Sequence, residues 1–131
     1  MESVVNWSRI IWLALSLSLA QFLIGVIEGI LAGPHTALWL LAGHCVSLAV
    51  AMTLFASFAI GTTYRPFAHA WLGLLLQVLL AGLLSSAVAR WFGSVPWLSV
   101  VMEWVVLVFA LVVGTWIGIG LRNRSIRADD A

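Results

Sequence analysis

Four stretches of the chain are apolar over a hydrocarbon length, with short polar breaks between them. An α-helix needs about 20 predominantly apolar residues to cross the core of a bilayer. Runs of that length cover about 10–31, 37–60, 67–89 and 97–121. The breaks hold the residues that stop helices: Gly33 with Pro34, Gly61 with Pro66, and Gly93 with Pro96. Connections this short turn each helix antiparallel to the one before it. The expected fold class is all-α integral membrane: four antiparallel transmembrane helices in a bundle over residues 1–121, then a short polar tail, 122–131, expected to fray. The first run is too long for the apolar region of a secretory signal, and cleavage at the nearest small-residue site would leave Pro34 just after the cut. It is read as a retained helix.

Within each run, the small and polar residues recur at helical spacing. Ala14, Ser18, Gln21, Gly25, Glu28 and Ala32 follow steps of 4, 3, 4, 3 and 4, which is one helix face. Gly43, His44, Ser47 and Ala51 share a face of the second helix. Ala70, Gly73, Gln77, Ala81 and Ser85 share one on the third, and Ser99, Glu103, Ala110, Gly114 and Gly118 on the fourth. The remaining positions are mostly Leu, Val, Ile, Phe and Trp. In a membrane, small residues let helix backbones approach and polar ones find partners. The stripes are therefore expected to face inward, with Gly25, Ser47, Gly73, Gly114 and Gly118 as packing positions. Gly114 and Gly118 form a small-x-x-x-small pair that serves equally for packing within the chain or for dimerisation.

Composition agrees with a bilayer as solvent. Of the 131 residues, 63% are hydrophobic and 8% charged, against about 25% charged in soluble domains. Mean hydropathy is +1.13. All six basic residues are arginine and the net charge is +1, so no basic stripe exists to neutralise phosphates and nucleic acid is excluded as a partner. The single cysteine, Cys45, excludes an intramolecular disulfide and reads as an inert thiol among apolar neighbours.

Arginine placement sets the expected threading. Arg9, Arg65, Arg122, Arg124 and Arg127 fall on one side, and only Arg90 on the other. By the positive-inside rule both termini face the cytoplasm, in the inner or plasma membrane, and the 33–36 and 90–96 connections face outward.

The stripes also contain the chain's candidate chemistry. At about 1.5 Å rise per residue, Glu28 lies roughly 8 Å inside Gly33, His44 roughly 12 Å inside Thr36, and Glu103 roughly 10 Å inside Pro96. Ser85 lies a similar depth inside Arg90. With antiparallel helices these residues share a level in the outer half. Gln21, Ser47 and Gln77 form a second layer near the midplane. The candidate set for binding or for a proton or ion relay is Glu28, His44, Glu103, Arg90, Gln21, Gln77 and Ser85. His69 follows Tyr64-Arg65, an aromatic–cationic anchor, and is read as an interfacial histidine.

A charge at the bilayer centre costs about 2.5–3.5 kcal/mol on insertion scales, so the carboxylates need a role. The first expectation is non-enzymatic. The protein is a structural or accessory subunit of a membrane complex, and Glu28 or Glu103 pairs with Arg90 or His44 to fix helix packing. The alternative is an oligomeric small proton- or cation-coupled transporter or channel using Glu28 and Glu103. Glu28, His44 and Glu103 also form a weak metal-ligand set, but no dedicated metal site and no cofactor is expected. No G-x-S-x-G, Walker, H-E-x-x-H or C-x-x-C motif occurs. The expected partners are the lipid bilayer and either further copies of the chain or another membrane protein.

Overall fold

A computed structural model describes residues 5–31, 36–93 and 97–130. The chain forms four helices: α1 (Trp7–Leu31), α2 (Thr36–Gly61), α3 (Pro66–Phe92) and α4 (Trp97–Asp129). Each is long and apolar enough to cross a membrane. Ala32, which would end the α1 stripe, and the connection containing His35 lie outside the described residues.

The ends follow local chemistry. The side-chain oxygen of Asn6 accepts a hydrogen bond from the Arg9 N–H at 3.3 Å and opens α1. Between α2 and α3, Arg65 adopts a left-handed conformation (φ 42°, ψ 60°). Pro66 follows it, disfavours right-handed helix at the preceding residue, and starts α3. The Arg65 carbonyl accepts from the His69 backbone N–H at 3.2 Å and from His69 Nδ1 at 3.0 Å. Tyr64 places its ring 5.4 Å from the Arg65 guanidinium carbon and edge-on to His69 at 6.5 Å. His69, expected at an interface, is buried in this corner.

α4 runs past the expected boundary near 121 and takes in most of the tail, through Asp129. No proline or glycine follows Gly120, and Arg127 in the last turn complements the helix dipole.

Side-chain contacts fix the helix directions. Glu28 meets Gly43, and Arg9 meets Gly61, so α1 and α2 run antiparallel. Gly114 faces Met52 and Gly118 faces Ala56, so α2 and α4 run parallel. Leu13 of α1 packs on Gly73 of α3. The α2–α4 pair makes the most extensive contact. A β-carbon on Gly118 would lie too close to the Ala56 carbonyl oxygen, and one on Gly114 would lie 2.6 Å from the Met52 carbonyl oxygen. Both glycines therefore set the spacing of two helices within the chain.

The core lies in the half that carries the termini. Leu13 and Leu17 of α1, Phe55 of α2, Leu74 of α3 and Leu107 and Leu111 of α4 pack around small residues Ala51, Ala70 and Ala110. In the opposite half the packing loosens, and every α3 residue from Ala81 to Val88 is exposed.

Candidate functional site

Loosening of that half leaves a cavity of about 290 Å³ between α1, α2 and α4. Its polar lining comes from Gln21 and Glu28 of α1, His44 and Ser47 of α2, and Ser99 and Glu103 of α4. None of the described α3 residues lines it.

Three features organise this space. At one end, Gln21 Nε2 donates to Ser47 Oγ at 2.7 Å, tying α1 to α2. Higher up, the Glu28 carboxylate sits directly over Gly43, in space a β-carbon would need. Glycine at this position thus allows a carboxylate from α1 to lie against the α2 backbone. Third, His44 Nδ1 lies 2.6 Å from the Leu40 carbonyl oxygen, one turn back in its own helix. A carbonyl only accepts, so Nδ1 carries the proton. A neutral His44 ring then keeps its lone pair on Nε2. Glu28, His44 and Glu103 are each half-buried. The cavity therefore brings together three ionisable side chains from three helices.

The other candidates lie elsewhere. Arg90 is exposed and lines a surface depression with Leu83, Ser86, Ala87 and Trp91, all on α3. Ser85 is exposed too. Neither approaches the acidic cavity, because α3 diverges over this half. The expected Glu–Arg90 pairing is therefore absent from this site. Gln77 is buried in the core, and its Oε1 has no hydrogen-bond partner. Gly25 borders the cavity with nothing near the position of a β-carbon, so it spaces no helix pair. Gly73 meets Leu13 of α1, Gly114 and Gly118 meet α2, and Ser47 holds Gln21. Among the described residues no three of His, Cys, Asp and Glu converge closely enough to hold a metal ion. Glu28, His44 and Glu103 share a cavity rather than a coordination sphere.

Ser99 and Gly43 belong to this site as much as the carboxylates do. The signal for both was their spacing, since Ser99 precedes Glu103 by one helical turn and Gly43 precedes Ser47 by one. Comparison of the chain with protein-family models, with curated proteins and with solved structures finds no match to any of them.

Proposed function

We propose that the protein is a small multi-pass membrane protein, with both termini cytoplasmic in the inner or plasma membrane, that takes up a proton or small cation in its acidic cavity. One observation carries this reading: Glu28, His44 and Glu103 line a common, partly open space instead of forming a closed hydrogen-bonded knot. A polar group used only to fix packing is satisfied by its partners and sealed from solvent. Carboxylates that face an open cavity within membrane-length helices instead mark ion or proton paths. Four helices are too few to enclose a wide path, so the transporter or channel works as an oligomer or beside another membrane protein.

The test is flux in proteoliposomes under an imposed pH gradient. Wild-type protein is expected to carry pH-driven flux, and Glu28→Gln and Glu103→Gln to abolish it. Flux equal to that of empty liposomes, or unchanged in both variants, sinks the proposal.

A second reading, an accessory subunit in which the polar cluster fixes packing, is favoured by the fit of Glu28 over Gly43. On this reading Glu28→Gln impairs assembly with a co-purifying membrane protein and has no flux to impair.

A further inference from the structure

Two arginines converge on the last turn of α2. Arg122 of α4 donates from Nη1 to the Thr62 carbonyl at 2.7 Å and to the Ala59 carbonyl at 3.3 Å. Arg9 of α1 lies over Gly61, where a β-carbon would come within 2.6 Å of Nη1. A helix C-terminus carries only about half a negative charge. Two guanidinium groups exceed it, so among the described residues this corner keeps a net positive charge.

Beside it, between α1 and α2, lies a second cavity of about 290 Å³. Its lining is graded along the helices. Arg9 stands at the end near the termini, Trp12, Phe58 and Ser57 come next, and Ser16 and Leu54 follow. Cation, aromatic rim and hydroxyls thus succeed one another over two helical turns, with apolar Leu54 level with Ser16 at the far end.

We infer that this cavity binds one anionic glycerophospholipid. The Arg9 guanidinium holds the phosphate. The Ser57 and Ser16 hydroxyls donate to the ester carbonyls below it, and Leu54 receives the start of an acyl chain. Trp12 belongs at headgroup level, where tryptophan is enriched. A zwitterionic headgroup brings its own cation toward two arginines and binds less well. The inference rests on the membrane placement proposed above, but not on any role of the acidic cavity.

The test has two stages. Flotation with pure phosphatidylcholine vesicles after an alkaline wash examines membrane insertion alone, and a protein that fails it fails both readings. Protein from nanodiscs of equal phosphatidylglycerol and phosphatidylcholine is then released in mild detergent and its retained lipid counted by native mass spectrometry. One retained phosphatidylglycerol per chain is expected, favoured over phosphatidylcholine about fivefold, the worth of one basic residue near an anionic surface. Arg9→Gln removes the preference. Ser16→Leu, which fills the cavity and leaves the charges alone, removes it too and serves if Arg9→Gln does not fold. Arg124→Gln, on the exposed end of α4, leaves it unchanged. Equal retention of both lipids overturns the inference, as does loss of the preference in Arg124→Gln alone. Displacement of the lipid by millimolar inorganic phosphate overturns it as well, by showing a site for free phosphate.

Discussion

The carboxylate of Glu28 lies where a β-carbon on Gly43 would have to be. One residue's missing side chain is therefore the seat of another's charged head. α1 and α2 meet at this point because position 43 is glycine, and the carboxylate faces the cavity for the same reason. Gly43→Ala should displace the Glu28 head, which is the mobile end of a flexible side chain, and cost about 1 kcal/mol, the low end for overpacking. Unfolding in detergent micelles measures this. The same substitution in a Glu28→Ala background should be nearly neutral, because the obstructed group is gone. An equal loss in both backgrounds would falsify the steric account.

Gly118 presents the opposite case. Its obstruction is the Ala56 backbone carbonyl, which cannot swing aside. Gly118→Ala should force α2 and α4 apart and cost about 2–3 kcal/mol, the upper part of the overpacking range. Gly120, two residues on, has nothing within 4 Å of a β-carbon. Gly120→Ala should be neutral or stabilising by up to about 1 kcal/mol through helix propensity. Parallel melting curves of the two variants give the comparison, and similar losses would count against the α2–α4 packing.

Arg122 is the side-chain cap of α2. Its removal strands the Ala59 and Thr62 carbonyls at the helix end. Arg122→Leu should lose about 1.5–3 kcal/mol, the range for hydrogen bonds to a charged group. Arg122→Lys should recover part of it with one remaining donor contact. Hydrogen exchange at the end of α2 reports the effect locally. Unchanged protection there in Arg122→Leu would contradict the capping role.

Arg90 points to a different outcome. It shares no cavity with Glu28 or Glu103. Arg90→Gln should leave both the melting temperature and pH-driven flux as in the wild type. A marked loss of either would restore the ion pair that the sequence suggested and the geometry lacks.

For the proposed threading, green fluorescent protein fused after Asp130 should fluoresce in cells, and alkaline phosphatase at the same place should be inactive. The reverse pair of results would place the termini on the outer side.

The four helices were legible because a hydrocarbon-length apolar run between glycine–proline breaks has few alternatives. Helix faces were legible as well, since residues three and four apart share one by geometry. Whether a neighbour reaches a face is a different matter. Ala81 and Ser85 continue the α3 stripe as regularly as Gly73 and Gln77 do, yet Gly73 and Gln77 are buried and Ala81 and Ser85 are exposed. Depth along the helices put Ser85 at the level of the carboxylates, with Arg90 nearby on the same helix. The divergence of α3 then moved both sideways, out of their reach, and nothing in a one-dimensional spacing encodes that tilt. α4 outlasts its apolar run for a related reason. Loss of hydropathy after Leu121 marks where apolar residues stop, and the helix continues because no residue there breaks it.

That continuation has a practical consequence. Gly61 closes α2 at the level where Arg122 leaves α4, so residues 123–129 project about 10 Å farther at 1.5 Å per residue. The projecting turns share one unbroken helix with the core residues Leu107 and Leu111. A soluble domain spliced in helical register after Asp129 would inherit a fixed bearing on the whole fold. It would serve as an imaging fiducial for a 14.2 kDa chain that is otherwise too small to align in electron micrographs.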